Sequence, residues 1–283
     1  MTKKYIFSSL AALFLGFVIS CDNTTEDPPN QNKNTSGTGT ITGPRILSRI
    51  TNGNKDLEEY VTNAGLLSMV YVRDAGSTNA TASTVTYTGS VITQIKIQDN
   101  ANPHVTDNTY ALTYTGGKLS AFTMDQTIMG SANHSDFTVY YDAGGILYRI
   151  VEKKKVGGSA SYSFYNEIKF TYSTTNIVKL DYTRMTMSGG NPNTSTASTT
   201  VYYFDNYDTK VNPYITLPKE YFMVASTLSQ LNAYMLSSNN VGKITVQSPV
   251  SPQVSYTKGY LYDSQNYPVS DLSQTVKYVY KPL

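Results

Sequence analysis

The chain has 283 residues, a formal net charge of +2 and a single cysteine. Without Lys3 and Lys4 its basic and acidic residues balance, so the chain presents no electrostatic footprint for nucleic acid, which is excluded as a partner. One thiol also excludes disulfides within the chain as a stabilising device.

The first predicted element is a signal peptide over residues 1–20. Lys3 and Lys4 precede an apolar run that is too short to cross a bilayer comfortably. The motif Val18-Ile19-Ser20-Cys21 resembles the lipobox of bacterial lipoproteins, in which cleavage leaves the cysteine as the first residue and its thiol and amine become acylated. The resemblance implies lipid attachment at Cys21, and several acyl chains on one residue give durable anchoring. The alternative is an ordinary secretory peptide with a coincidental cysteine.

Residues 21–44 are predicted to form a flexible tether. From Asp22 to Pro44 the only apolar residue is Ile41, so the segment cannot offset its ordering entropy by burial. The acids that follow the cysteine are similar to the acidic export signal of Bacteroidetes surface lipoproteins, which implies the outer membrane and a surface-exposed body. Polar residues interrupt these acids, so a periplasmic orientation stays open.

Residues 45–283 are predicted to form a single β-domain built from hairpin repeats. In each unit an aromatic residue ends an alternating run, turn-forming residues follow, and apolar residues come at plus five and plus eight. The clear units are Tyr87/Ile92/Ile95, Tyr114/Leu119/Phe122 and Tyr172/Ile177/Leu180, and the weaker ones are Tyr141/Ile146/Ile150, Val61/Leu66/Met69, Leu236/Val241/Ile244 and Tyr262/Tyr267. The linking residues tolerate positive φ or cap a turn, so each unit is interpreted as one β-hairpin.

The alternation within each run predicts the shape of the sheet. Leu112 and Tyr114 alternate with threonines, which is the period of a strand that buries one face. Consecutive hairpins with the same phase predict an all-β fold: a many-stranded antiparallel meander that curls or closes into a barrel-like sheet. One short helix is expected near residues 221–236, where apolar residues fall at helical spacing, and it would plug or cap the sheet.

The alternation alone leaves open which face of the sheet is inside. A barrel in the outer membrane would turn its apolar face to lipid, with strands of about nine to eleven residues. Most alternating runs here last only about five to seven residues, and the aromatic residues stand at one end of each hairpin. These observations favour a water-soluble body and leave a pore-type barrel as the alternative, to be decided by the direction of Val85, Leu112 and Phe170.

The units at Tyr141-Asp142 and Tyr262-Asp263 resemble tyrosine-aspartate hairpin repeats. The segment from Val211 through Ile244 is similar to one in Bacteroidetes surface lipoproteins described as having a porin-like fold. The resemblance implies a many-stranded antiparallel β-sheet and brings no catalytic residue with it. The chain departs from the pattern in its Thr/Ser-rich stretch from Gly189 to Thr200.

Residues that carry chemistry are sparse in this chain. His104 and His134 lie in stretches predicted as polar loops, with no neighbouring cysteine or spaced second histidine, so no metal site is expected. No catalytic motif occurs, so no catalytic residue and no cofactor are predicted. A surface carbohydrate-active enzyme remains an alternative, and it would need two carboxylates such as Asp136 and Glu167 within about 5 to 10 Å at a cleft.

The chain contains 25 tyrosines, and their side chains can stack on sugar rings while their hydroxyls form hydrogen bonds. A cross-strand ladder is the simpler role for the tyrosines in the apolar phase. Tyr140, Tyr148 and Tyr202 are instead expected on an outward surface as ligand-contact residues. The sequence therefore predicts a lipid-anchored protein of the outer membrane that is not an enzyme. It is expected to be a structural module or a module that binds glycans or other envelope proteins, with Cys21 as its membrane contact.

Overall fold

The computed structural model describes residues 44–73, 79–100, 107–128 and 130–283. The predicted signal peptide, Cys21, the tether before Pro44 and His104 lie outside the described residues. The described part is all-β, as predicted, and its strands form one sheet. The strands are β1 (Arg45–Asn52), β2 (Lys55–Asn63), β3 (Leu66–Arg73), β4 (Ala80–Thr88), β5 (Val91–Asp99), β6 (Asp107–Thr115), β7 (Lys118–Ile128), β8 (Ser131–Tyr141), β9 (Leu147–Lys155), β10 (Phe164–Ser173), β11 (Asn176–Ser188), β12 (Asn191–Asp205), β13 (Lys243–Ser248), β14 (Ser251–Thr257), β15 (Tyr260–Tyr262), β16 (Pro268–Asp271) and β17 (Val276–Pro282).

The sheet is an antiparallel meander. Each strand from β1 to β13 pairs with the next one along the chain. Strands β15, β16 and β17 pair in the same way, and β17 returns to β1. Within the described residues no ladder joins β14 to β15, so the sheet is not closed there. Because every pair is antiparallel, β14 and β15 must run in the same direction on either side of Lys258 and Gly259.

A β-bulge in each hairpin explains the spacing of the repeat. Tyr114 pairs with Leu119, and the following residue, Ser120, has no partner of its own. Positions plus five and plus eight would face opposite sides of a regular strand, but one extra residue between them brings both to the same face. The same bulge occurs in the equivalent hairpins that begin at Tyr87 and Tyr172.

The hairpin that begins at Tyr141 has a longer turn than its relatives. Tyr141 pairs with Leu147, one position beyond the predicted Ile146. Leu147 is therefore fully buried, whereas Ile146 is 41% exposed. Ile150 is also buried, and it falls one place late for the same reason.

Two of the weaker units differ from the prediction. Thr62, rather than Val61, pairs with Leu67 across the turn between β2 and β3. This shift of one residue buries Leu67 and leaves Leu66 exposed at 38%. The unit predicted at Leu236 is not a hairpin, because Leu236 ends a 3₁₀ helix.

Val85, Leu112 and Phe170 are buried and belong to one continuous core, which fixes the apolar face as the concave side of the sheet. The strands are longer than the alternating runs predicted, because the ladders extend beyond these runs and β4 to β12 contain between 9 and 15 residues. Orientation rather than length therefore separates a water-facing sheet from a lipid-facing one.

A helical segment, residues 213–241, fills the concave side, and we call it the plug. It contains one α-helix, α1 (Lys219–Leu228), close to the predicted position, flanked by 3₁₀ helices at Pro213–Thr216 and Gln230–Leu236. Four consecutive residues of α1, 221–224, are buried, so neighbouring structure covers the helix on several sides.

Hydrogen bonds connect the plug to the concave face of the sheet. The Leu47 N–H donates to Thr216 Oγ1 over 2.9 Å, and the Ile177 N–H donates to Ser237 Oγ over 3.0 Å. The plug therefore satisfies backbone groups at the two strands β1 and β11, well apart in the sheet.

Candidate functional site

An outward cluster of aromatic and charged residues lies on β8, β9 and β10. We call it the outer aromatic patch, and it consists of Tyr140, Tyr148, Arg149, Tyr165 and Glu167. Tyr140 pairs with Arg149, and Tyr148 is the extra residue beside this pair. The bulge turns Tyr148 and Arg149, which are adjacent in sequence, to the same outward face.

The guanidinium of Arg149 organises the patch. Its Cζ lies 4.0 Å from the ring centroid of Tyr140 and 5.8 Å from that of Tyr148. The two rings are 6.3 Å apart and tilted by 54°. Both contacts are in the range of cation–π attraction, so Arg149 holds the rings in place while Tyr148 stays 39% exposed.

Glu167 neutralises the cations of this surface. One carboxylate oxygen is 3.4 Å from Nη1 of Arg149, and the other is 3.0 Å from Nζ of Lys169. Burial, with the Glu167 charge as a second cause, raises the pKa of the Tyr165 hydroxyl. The Nε of Arg149 is buried and has no hydrogen-bond partner within the described residues, so one donor of the patch is unused.

The patch combines an exposed phenol ring, a fixed guanidinium and a carboxylate on one surface. An aromatic ring offers an apolar face to the C–H groups of a sugar, and charged groups beside it accept or donate hydrogen bonds to hydroxyls. The arrangement is therefore suited to holding a sugar ring at Tyr148.

His134 lies in β8, so the prediction that it lies in a loop is wrong. Its neighbours are polar, but they alternate between the two faces of a strand. Its ring nitrogens contact the carboxylates of Asp125 at 2.7 Å and Asp136 at 3.3 Å. The hydrogen bond with Asp125 is the main cause that raises the pKa of His134. Tyr162 donates its hydroxyl to the second oxygen of Asp136.

The carboxylates Asp136 and Glu167 face outward on strands β8 and β10. The register places them two strands and two residues apart, about 12 Å between their Cα atoms from ordinary sheet spacings. Asp136 is engaged by His134 and Tyr162, whereas Glu167 is engaged by Arg149. The two carboxylates thus serve separate networks.

A carboxylate that the sequence analysis missed lies inside the sheet. Glu58 is 3% exposed, and it accepts hydrogen bonds from Tyr60 over 2.5 Å and from Tyr214 of the plug over 3.2 Å. Burial raises the pKa of Glu58. Burial also lowers the pKa of Lys258 to about 8, although the nearby Glu58 charge opposes that shift. The ammonium of Lys258 lies 3.9 Å from the ring centroid of Tyr234.

Of the predicted ligand-contact residues, Tyr140 and Tyr148 lie together in the outer aromatic patch, whereas Tyr202 does not. Tyr202 pairs with Leu180 and packs against the core, so the prediction that it faces outward is wrong. Because Tyr202 and Tyr203 are adjacent, these two residues alone do not show which of them faces inward. Phe204, two residues after Tyr202, is fully buried and indicates that Tyr202 shares its inward face.

Within the described ranges, no helix is long and apolar enough to span a bilayer. No group of three or more His, Cys, Asp or Glu residues suited to a metal ion occurs among those same residues. Cys21 lies outside them, so lipid attachment stays a prediction.

No family model matches this chain, and no curated protein matches it. Among solved structures it is similar to a porin-like protein from Bacteroides vulgatus, with 12% identity and a TM-score of 0.49, over 84% of this chain and 100% of that one. It is also similar to a porin-like protein from Bacteroides uniformis, with 17% identity and a TM-score of 0.45, over 83% of this chain and 98% of that one.

Proposed function

We propose that this chain is a lipid-anchored protein of the bacterial cell envelope whose β-domain faces water and binds a glycan at the outer aromatic patch. The proposal assigns binding and no catalysis. Its anchor is the lipid predicted on Cys21.

The observation that carries the proposal is the direction of the apolar face. Leu112 and Phe170 are buried on the concave side, which leaves the threonines and charged residues between them on the convex side. Lys96, in the middle of β5, lies 3.5 Å from Asp107 on the outward face, and Lys169 occupies a similar position in β10. A lysine facing lipid at mid-bilayer costs about 2–4 kcal/mol, so these outward lysines support a sheet whose outer face is exposed to water.

A pore-type barrel of the outer membrane is the alternative, and porin-like is the description of the two similar structures. Such a barrel needs an apolar outer belt and an open lumen. The plug, with Phe222 and Val224 at 2% and 0% exposure, occupies the concave side, which favours the water-facing proposal.

Behaviour in detergent-free buffer separates the two functions. We expect the chain from Pro44 to Leu283 to remain monodisperse by size-exclusion chromatography without detergent, and to add no conductance to a planar lipid bilayer. Aggregation without detergent together with discrete conductance steps would instead establish the pore.

Glycan binding at the patch is supported by the exposed ring of Tyr148 and by the unused Nε donor of Arg149. We expect this protein to bind polysaccharides on a glycan array, and Tyr148→Ala to weaken that binding by about tenfold. Tyr71→Ala is the matched control, because Tyr71 also lies on the outward face with an arginine, Arg73, at 5.5 Å from its ring. A blank array, or equal losses in both variants, would refute the patch as a glycan site.

The anchor has its own test. Mass spectrometry of the mature full-length protein is expected to find acyl groups on Cys21, and Cys21→Ser is expected to release the protein from the membrane fraction. An unmodified thiol in the mature product would remove this part of the proposal without touching the β-domain.

A further inference from the structure

The concave face of strands β6 to β10 becomes polar at the end opposite the tyrosine turns. Each strand contributes side chains there in the inward phase, as their pairing with buried core positions shows. We call this group the end cup, and it comprises Asn108, Tyr110, Gln126, Asn133, Ser135, Glu152 and Asn166. Asn108 and Ser135 are 1% and 0% exposed and form its floor.

Two hydrogen bonds fix the carboxylate at the centre of the end cup. Ser135 on β8 donates to Oε1 of Glu152 over 2.6 Å, and Asn166 on β10 donates to Oε2 over 2.6 Å. Each carboxylate oxygen still has a free lone pair after these bonds. Glu152 itself is partly exposed, so solvent or a ligand reaches it from the mouth of the cup.

A chain of amides continues the floor across three strands. Gln126 donates to Oδ1 of Asn108 over 2.9 Å, and Asn133 donates to Oε1 of Gln126 over 3.1 Å. The Gly157 N–H donates to Oδ1 of Asn133 over 3.1 Å. These bonds hold the amide groups in fixed orientations, which preorganises the surface.

Two buried polar atoms of the cup have no hydrogen-bond partner within the described residues: the hydroxyl of Tyr110 and Oδ1 of Asn166. Tyr110 is 0% exposed and Asn166 is 6% exposed. Burial, and then the charge of Glu152, raise the pKa of the Tyr110 hydroxyl, so the hydroxyl is protonated at neutral pH. Buried polar groups in proteins nearly always have partners, so a ligand or ordered water is expected here.

The charges around the cup select the chemistry of that ligand. The Glu152 carboxylate at the centre of the cup repels an anion. Lys154 faces the same side, since it pairs with Ser135, and Arg184 lies 5.9 Å from the ring of the rim residue Phe164. These two cations repel an amine, which leaves a neutral molecule. Acceptors that remain free on Asn166 and Glu152 require several hydroxyl donors, which a sugar supplies.

We propose that the end cup is a binding site for one neutral sugar ring, with hydroxyls that donate to Glu152 and Asn166 Oδ1 and that pair with the Tyr110 hydroxyl. The end cup lies on the opposite face of the sheet from the outer aromatic patch, and binding in the cup does not depend on the patch. The partly buried ring of Tyr182 and the rim residue Phe164 supply an apolar wall beside the sugar.

The test uses Tyr110→Phe in the full-length protein, purified in detergent. The substitution removes only an unpartnered atom, so the melting temperature is expected to stay equal or rise. Saturation-transfer NMR with glucose, galactose, mannose and N-acetylglucosamine is expected to detect binding to the unaltered protein. Affinity is expected to fall at least about tenfold in Tyr110→Phe. Tyr172→Phe is the matched control, because its hydroxyl is also buried and unpartnered but lies at the turn end of β10.

A second measurement follows the side-chain NH₂ signal of Asn166, which is expected to shift when the sugar is added. The proposal is overturned if none of the four sugars binds, if Tyr110→Phe and Tyr172→Phe bind equally well, or if ethanolamine or acetate binds in their place. Loss of polysaccharide binding in Tyr148→Ala alone would concern the outer aromatic patch and would leave the end cup intact.

Discussion

The hairpin wall, strands β3 to β11, and the closing region, residues 205–283 with its plug, are built by different rules. In the wall, consecutive strands pair and the contacts are local, so the Ser120 hydroxyl donates to the Thr113 carbonyl only 7 positions away. In the closing region, Tyr214 bonds to Glu58 across 156 positions, and Arg45 bonds to Asp263 across 218 positions. A local pattern in the sequence therefore describes the wall, while the closing region depends on contacts that no local pattern contains.

The two regions also differ in the interactions that stabilise them. The wall is stabilised by apolar side chains stacked across neighbouring strands, which are non-directional contacts. The plug is attached by hydrogen bonds to buried polar groups such as Glu58, which are directional and costly to leave unmade. Substitutions in the two regions are thus expected to differ in size and in pH dependence.

The largest expected effect is in the wall, at Phe122. Phe122 is 1% exposed and stacks on Phe137 with ring centroids 4.3 Å apart, so Phe122→Ala is expected to lower the free energy of unfolding by about 3–5 kcal/mol. Urea unfolding followed by circular dichroism measures this change. Thr123→Ala, at the next, outward-facing position, is the control and is expected to change it by less than about 0.5 kcal/mol. A loss of similar size in both variants would mean that the outward face is also packed.

In the closing region, Tyr214→Phe removes one donor from the buried Glu58 carboxylate. The expected loss is about 1–3 kcal/mol of unfolding free energy, because the buried carboxylate loses the Tyr214 hydroxyl as a hydrogen-bond donor while it keeps that of Tyr60. Tyr172→Phe serves as the control, since its hydroxyl has no partner within the described residues, and no loss is expected. Equal stability of Tyr214→Phe and the unaltered protein would show that the plug is not held at this point.

The pH dependence of stability is also expected to come from the closing region. Burial raises the pKa of Glu58 in the folded protein, so the folded state holds this proton more tightly than the unfolded state does. The stability that Glu58 contributes is therefore present below its ordinary pKa and is lost as pH rises through the raised value, with a slope of at most about 1.4 kcal/mol per pH unit. Unfolding free energies of the unaltered protein and Glu58→Gln, measured from pH 4 to pH 8, are expected to diverge in this direction. Parallel profiles would contradict the assignment.

The smallest expected effect concerns two equivalent turns of the wall. Thr174 and Gly116 both adopt a left-handed backbone, with φ of 54° and 58°. Only glycine adopts this region without strain, so Thr174→Gly is expected to stabilise the protein and Gly116→Thr to destabilise it, each by about 0.5–1 kcal/mol. Melting temperatures of the two variants are expected to move in opposite directions, and a shift of the same sign in both would show that the turns are not equivalent.

Much of the hairpin wall could be predicted from the sequence. The tyrosine before each turn and the apolar residues at plus five and plus eight gave the hairpins, although the bulge at Ser120 that makes this spacing work was not foreseen. At the candidate site, the outward positions of Tyr140 and Tyr148 were predicted from the sequence, whereas Arg149 was missed and Glu167 was considered only as a carboxylate of a possible enzyme. Their partnership depends on the bulge at Tyr148 and on the register between β9 and β10, and neither can be read from a single strand.

The hairpins, their shared phase and the short helix follow from the sequence, because alternation and turn chemistry act between residues that are close along the chain. Only the folded structure shows that the apolar face is concave and that Glu58 contacts Tyr214. These outcomes depend on how the sheet curves and on which distant segments meet within it. A period of two specifies that side chains lie on opposite faces, but only the packing of the complete sheet around the plug specifies which face is dry.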